Sequence, residues 1–345
     1  MKKTWKKTAA FVCACALAWC VTGCTSDESG TPDTAVTNTN GSAADTTSQA
    51  GDSTGQKTSA DTLNATANEV YQIAVIEKNL TNPIWIALLE GAEQAGADSG
   101  CEVTVLAPNT PESNEEQISL IQQQIAKGVD ALVVIPADGT GIVPAIEEAN
   151  AAGIPVINVD TKIDTSTCAV DTFIAVENYT AGVEVAKALA EKMNGEGDVI
   201  ILEGKPGTQS SIDIVGGAND VFDEYEGINV VASQAADWNR TDGYTVTLNL
   251  LEANPDVTAI FAANDEMAMG ALQAVSQSGK EGEILIAGLN ANPDAKEAVD
   301  AGQLTMTYDK NGNLQGYSAI MAAVTKLNGE TLESAYEVPG ILYSK

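Results

Sequence analysis

The chain is 345 residues long, 44% of them hydrophobic, with 48 acidic against 17 basic residues, no histidine and a formal net charge of −31. That charge excludes a nucleic-acid binder that works by displacing counterions from a basic face, and the missing histidine excludes a histidine triad or a histidine-ligated metal. No metal and no cofactor is expected.

In chain order, Lys2, Lys3, Lys6 and Lys7 precede an apolar stretch at residues 8–21, the layout of an export signal. The stretch falls short of the ~20 apolar residues that a membrane-spanning helix needs. It ends in Val21, Thr22, Gly23 and Cys24, the lipobox pattern of bacterial lipoproteins. Residues 1–23 are therefore read as a signal peptide and Cys24 as the lipid anchor, which places the mature chain outside the cytoplasm on the bacterial cell membrane. An ordinary secretory signal with an incidental cysteine is the alternative, while Cys20, behind bulky Trp19, and Cys15, mid-core, are poorer cleavage points.

Residues 24–69 are Ser, Thr, Asp, Gly, Asn and Ala with almost no large apolar side chain, so no structure is expected there. As a flexible tether of about 45 residues this segment would span roughly 35–40 Å.

From residue 70 onward, short β-branched runs alternate with helical patterns, the signature of an α/β fold with parallel sheets. Strands are predicted at 72–77, 103–107, 131–135, 155–159, 198–202, 228–233, 258–262 and 283–287, each nearly continuously apolar as expected for strands covered on both faces. Helices are predicted at 83–97, 115–127, 180–193, 241–253, 265–278 and 314–327. The pattern divides near FIAVENYTAG at 173–182 into two similar halves, so two doubly wound lobes with a cleft between them are expected. Of the cysteines downstream of the leader and anchor, Cys101 and Cys168 either pair or remain two free buried thiols.

In such sheets ligands lie beyond the carboxyl ends of the strands. After the first strand come Lys78, then Asn82 and Pro83, which suit a helix start, and Trp85, placed for either core or cleft. Asp160 and Thr161 follow the fourth strand, where a buried carboxylate needs donors such as vicinal sugar hydroxyls, or else serves as a cap. After the seventh strand Asp265 is expected to cap the helix and Asn264 to point outward, with an amide able to donate and accept. Trp238 in the loop at 236–240 and Asn290 after the eighth strand add an aromatic face and another amide. The turn Gly204, Lys205, Pro206, Gly207, Thr208 lacks the spacing of the glycine-rich nucleotide motifs, which favours a plain strand-to-helix turn over a phosphate cradle. Nothing here has the form of a nucleophile, a base and an oxyanion hole.

The stretches NLTNPIW at 79–85, AGIPVINVD at 152–160, SQAADWNR at 233–240 and IFAANDEMAMGAL at 260–272 resemble the ribose-binding branch of the periplasmic binding proteins. The resemblance covers the folded segment from about residue 71 and implies the type I fold: two doubly wound parallel-sheet lobes joined by three hinge crossovers, near Val176, Lys310 and Pro339. One lobe would hold residues 70–176 and 311–338, the other 177–310 and 339–345. It also implies that Asn82, Asp160, Asn264 and Asn290 hydrogen-bond a ligand on which Trp85 and Trp238 stack. Thr161 and Ile212 stand where the ribose binder has arginines, Asn290 replaces its second pocket aspartate, and Lys310 replaces a hinge glutamine. With Arg240 the sole arginine, Lys78 and Lys310 would supply the positive charge as point charges rather than forks. These departures argue against ribose itself and leave open another pentose or hexose, a polyol, a furanosyl signal molecule or a mildly acidic sugar derivative.

The function expected is capture of a small polar ligand, a monosaccharide, polyol or related solute, by a monomeric lipoprotein that delivers it to an ABC permease. A sensor for a membrane kinase or chemoreceptor, and an exported hydrolase, are the alternatives. The similar ligand domain of LacI-type repressors follows a DNA-binding helix pair, whereas an export signal stands here. Asp160→Ala is expected to weaken binding at least tenfold, by loss of charge-assisted bonds worth about 1.5–3 kcal/mol each, and to leave the fold intact.

Overall fold

Most of the apolar runs become strands that the intervening helices cover on both faces, but those at 103–107 and 228–233, expected to be covered in the same way, form largely exposed strands at the sheet edges, where one neighbour is missing. A computed structural model describes residues 58–345; the leader, Cys24 and the tether up to residue 57 lie outside the described residues. The chain opens with β1 (Thr58–Ser59) and a single 3-10 turn (Ala60–Thr62). The first sheet is then laid down as β2 (Gln72–Ile76), α1 (Pro83–Ser99), β3 (Glu102–Leu106), α2 (Asn114–Lys127), β4 (Ala131–Val134), α3 (Val143–Ala151), β5 (Val156–Val159) and β6 (Thr172–Ala175). The second follows as α4 (Asn178–Lys192), β7 (Glu196–Glu203), α5 (Gln209–Asp223), β8 (Gly227–Ala235), α6 (Arg240–Ala253), β9 (Ala259–Ala262), α7 (Asp265–Gln277), β10 (Leu285–Ala287), α8 (Pro293–Ala301) and β11 (Met306–Asp309). The chain then returns through α9 (Gly312–Leu327) and β12 (Ala335–Glu337) to the first sheet, and ends with β13 (Ile341–Ser344) in the second.

The sheet orders are β1-β12-β6-β5-β4-β2-β3 and β13-β11-β10-β9-β7-β8. Every pairing is parallel except β11 with β13. Order reverses at β2 in one sheet and at β7 in the other, so each lobe is doubly wound, with its ligand-accepting crevice at the carboxyl end of those strands. The chain changes sheets between β6 and α4, between β11 and α9, and between β12 and β13.

Period-two alternation sets the two faces of the first sheet. Ile73, Val75, Val133 and Ile157 join the larger core with Leu88 of α1 and the buried face of α9, while Ala74, Ile76, Leu132 and Val134 pack on Ile121 and Ile146 on the other side. Helices α1 and α9 approach closely at two glycines: a Cβ at Gly91 would overlap the carbonyl of Asn313, and one at Gly316 the carbonyl of Leu88. Cys101 and Cys168 are both free thiols.

The tether expected to run to residue 69 is structured from residue 58. β1 pairs with β12 through Thr58 and Tyr336, extending the first sheet at its edge. Ala60 and Leu63 are buried, and Ser318 Oγ donates to the Ala60 carbonyl at 2.9 Å. The Asn328 amide donates to Thr66 O at 2.9 Å and accepts from Asn68 N at 3.1 Å. A few small apolar residues suffice because α9 offers a groove and Asn328 satisfies the backbone, a local fit that composition averaged over the whole segment hides.

Candidate functional site

Two strand ends of the first sheet bring the charged groups together. β2 runs into Glu77 and Lys78, and β5 into Asp160, whose backbone is left-handed at φ 58, a conformation that aspartate tolerates better than most residues. Lys78 Nζ donates to Asp160 Oδ2 at 3.1 Å and to Thr161 Oγ1 at 2.7 Å, and sits 4.4 Å from the centre of the Trp85 ring. Lys310, at the end of β11 where the chain returns to the first sheet, donates to Asp160 Oδ1 at 2.6 Å. One carboxylate thus lies between two ammonium groups, all three side chains at most 8% exposed. Burial alone would raise the Asp160 pKa, but Lys310 and Lys78 overcome that and hold the carboxyl well below the usual carboxylate range.

The remaining walls come from helix starts and from the loop at 236–240. Asn82 caps α1, accepting from Ile84 N at 3.4 Å, and Pro83 follows at the first turn. Trp238 lies across Gly204, where a Cβ would overlap the indole, and both Asp237 (φ 48) and Trp238 (φ 63) are left-handed. Two such residues in succession are costly for side chains of this size and persist where surrounding contacts fix them. Asn264 supplies one of these contacts, donating from Nδ2 to Trp238 O at 3.0 Å.

The capping roles at α7 are the reverse of those predicted. Asn264 is the cap, accepting from Met267 N at 2.9 Å, and its backbone is extended. Asp265 is turned inward, accepting from Thr307 Oγ1 at 2.6 Å and Asn292 N at 2.7 Å. Burial pushes its carboxyl up to about 8, against the effect of those two hydrogen bonds. The inversion follows from partners on β11 and at the start of α8, where a local cap pattern cannot register them.

Lys78, Asn82, Trp85, Asp160, Trp238, Asn264, Asn290 and Lys310 line one narrow crevice between the carboxyl ends of the two sheets. Thr161 is the one predicted site residue that does not line it: it stands behind Asp160, bonding Lys78 and Asp160, and faces a wider neighbouring groove. Sequence reasoning passed over Glu112, Ser210, Ile214 and Ala263, which complete the wall. Ser210 lies just past the glycine-containing turn at 204–208, so that turn was a usable signal; Glu112 sits in a loop with none. Lys205 of the same turn reaches across to Glu112, Nζ to Oε2 3.9 Å, pairing the two lobes at the mouth. Glu77 was also missed: it is buried, neither carboxyl oxygen has a hydrogen-bond partner, and burial pushes its pKa well up despite Lys78.

Arg240 takes no part in the crevice. It is held by Glu266, through two hydrogen bonds at 2.9 and 3.1 Å, and by Asp294 at 2.6 Å. Among the described residues no cluster of side chains has the make-up of a metal site. The crevice is suited to binding: two indoles, amides able to donate and accept, the carboxylates of Asp160 and Glu112, and two ammonium groups.

Residues 73–331 match the family model described as periplasmic binding protein domain. The chain is 34% identical over 269 residues to the ribose import binding protein of Bacillus subtilis, covering 78% of this chain and 86% of that one. It is 33% identical over 255 residues to the D-allose-binding periplasmic protein of Escherichia coli, with 72% and 82% covered. Among solved structures, an ABC transporter periplasmic solute binding protein from Actinobacillus succinogenes with bound D-allose superposes with a TM-score of 0.77 at 36% identity, covering 80% of this chain and 98% of that one. A solute binding protein from Bacillus halodurans with bound myo-inositol gives a TM-score of 0.75 at 28% identity, with 79% and 94% covered. The family match, the relatives and the two-sheet topology agree: this chain is a member of the periplasmic binding protein domain family.

Proposed function

We propose that this protein captures a monosaccharide-sized polar solute between its two lobes and delivers it to an ABC importer, held at the outer face of the cell membrane through Cys24. The observation that carries the reading is the convergence of Trp85, Trp238, Asp160, Asn82, Asn264 and Asn290, from five separate strand ends and loops, on one crevice. Relatives that import ribose or bind D-allose support the same solute class.

The chemistry follows from what each group has left to offer. Asn264 has spent one amide hydrogen on Trp238 and one lone pair on Met267, which leaves one of each for a hydroxyl. Asn290 has no side-chain hydrogen bond among the described residues. Among the described residues Asp160 Oδ1 accepts only from Lys310 and can accept once more, from a sugar hydroxyl. The two indoles pack the C–H faces of the ring. Closure bends the three strand crossings as hinges, the motion by which periplasmic binding proteins shut around their ligands, and brings the Lys205 side chain to Glu112. The site acts by binding alone, without turnover.

Calorimetry and thermal shift against a panel of neutral aldoses, ketoses, polyols and sugar acids test this directly. The expected result is saturable one-to-one binding by at least one of them, with a change in tryptophan emission. A panel that alters neither emission nor melting temperature contradicts it. For the anchor, intact mass of the membrane fraction should show a diacylglyceryl group on Cys24, and Cys24→Ala should release the protein; a membrane-bound, unmodified Cys24→Ala variant contradicts it.

A further inference from the structure

We infer that the solute for which this crevice is built is a monosaccharide-sized acid, an aldonate or uronate whose single carboxylate is received by Lys310. This deepens the reading above and rests on it.

The charge census of the crevice carries the inference. Lys78 and Lys310 are the cations that line it, and Asp160 is their one partner. Glu112 also lines it, but at the mouth, where Lys205 offsets it. Glu77 is the natural second counter-ion by position, directly before Lys78, yet its two carboxyl oxygens accept no hydrogen bond. Burial without a side-chain donor disfavours the anion, and the Glu77 carboxyl is accordingly raised well above the usual carboxylate range against the pull of Lys78. One positive charge is left over.

Hydrogen-bond capacity assigns that charge to Lys310. An ammonium has three donors. Lys78 uses two, on Asp160 and Thr161, and its remaining face lies against the Trp85 ring. Lys310 uses one, on Asp160, among the described residues, although its side chain is only 6% exposed. Two N–H groups on a buried cation lining the cleft have no protein acceptor. Hydroxyls of a neutral sugar would accept from them but would not cancel the charge that closure removes from water, whereas a carboxylate does both.

The field around the crevice has the same sign. Asn82, Ser210 and Asn264 all line it, and each stands at or next to the N-terminal end of α1, α5 or α7, where the helix dipole is positive. A phosphate ester is the poorer fit, since its dianion exceeds the single surplus charge and no arginine fork is present: Arg240 is occupied by Glu266 and Asp294.

Titration calorimetry of the protein freed of co-purified solute, with the matched pairs D-ribonate and D-ribose, D-galacturonate and D-galactose, and D-glucuronate and D-glucose, and with D-ribose 5-phosphate, reads this out. The acid is expected to bind at least tenfold more tightly than its neutral partner in one pair or more. Lys310→Gln should lower that acid-to-neutral ratio at least tenfold. Asn290→Asp, which adds a carboxyl to the crevice without breaking an ion pair, should lower it too, and covers the case in which the lysine variant fails to fold. Neutral partners that bind as well as or better than the acids overturn the inference while leaving sugar capture standing. D-ribose 5-phosphate binding more tightly than every carboxylate overturns the assignment of a carboxylate. Binding by none of the probes, with D-allose and myo-inositol also silent, removes the underlying reading and the inference with it.

Discussion

Asp160→Ala takes away the one acceptor that, among the described residues, two buried ammonium groups share. Lys78 and Lys310 are 8% and 6% exposed, so neither can turn to water without moving its strand end. Breaking a buried pair by removing one partner costs about 3–5 kcal/mol, because the charge left behind stays desolvated. Alanine at the left-handed φ of 58 adds about 1–2 kcal/mol that aspartate largely avoids. At about 2–4 °C per kcal/mol for a domain of this size, the combined loss of about 4–7 kcal/mol should lower the melting temperature by roughly 8–28 °C. The ion cluster therefore argues for a destabilised variant, against the sequence-based expectation that the fold stays intact, since Asp160 neutralises its own protein before it meets a ligand. Two further variants separate the terms. Asp160→Asn keeps the left-handed backbone and loses only charge, so it should retain the 3–5 kcal/mol defect. Adding Lys310→Met to Asp160→Ala should recover part of it, because one orphaned charge goes too. Differential scanning calorimetry decides: an Asp160→Ala melting temperature within about 2 °C of the parent would refute the claim that this carboxylate holds the two lysines.

Gly204→Ala should displace the Trp238 indole, which occupies the space of the new methyl group, and weaken solute binding at least tenfold with a red-shifted tryptophan emission; unchanged affinity would separate Trp238 from the site. Glu77 holds its proton in the folded chain to a higher pH than in the unfolded chain, so the folded state binds the extra proton above about pH 4.3. Its contribution is complete below that pH and is lost as pH rises toward the folded pKa, by up to about 1.4 kcal/mol per pH unit. Asp265, raised to about 8, has the same sign. Glu77→Gln should therefore flatten, without abolishing, the decline in urea-measured stability between pH 5 and 8; parallel curves for parent and variant would place the charge elsewhere. Asn328→Ala removes the amide that ties down Thr66 and Asn68, and hydrogen exchange in residues 58–69 should then accelerate at least tenfold while the sheet cores keep their protection.

What the sequence disclosed was set by how local the cause is. Most of the eight apolar runs were legible because both of their faces are buried, although β3 and β8 turn out to be largely exposed edge strands, and Asn82 with Pro83 announced a helix start through adjacent residues alone. β11, with the sequence MTYD, and β12, with AYE, gave no such signal, and β1 is two residues at a sheet edge whose partner lies in β12. Lys78 and Asp160 were identifiable as strand-end residues of the right chemistry, whereas Lys310 entered only through the family resemblance. That they form one ion cluster, with sequence separations of 82 and 150 residues, is a fact of topology. The exchange of roles between Asn264 and Asp265 has the same origin, since Thr307 and Asn292 decide it from other elements. Trp238 could be placed in a loop by its neighbours, but its left-handed backbone and its seat on Gly204 depend on β7 and β8 having met.

A crystal structure of the protein saturated with whichever panel solute binds most tightly tests the central claim most directly. Density is expected for one solute between the Trp85 and Trp238 rings, within hydrogen-bond distance of Asp160, Asn264 and Asn290, with the two sheets closed on it. Solute bound elsewhere on the surface, with those side chains in contact only with one another, would contradict it.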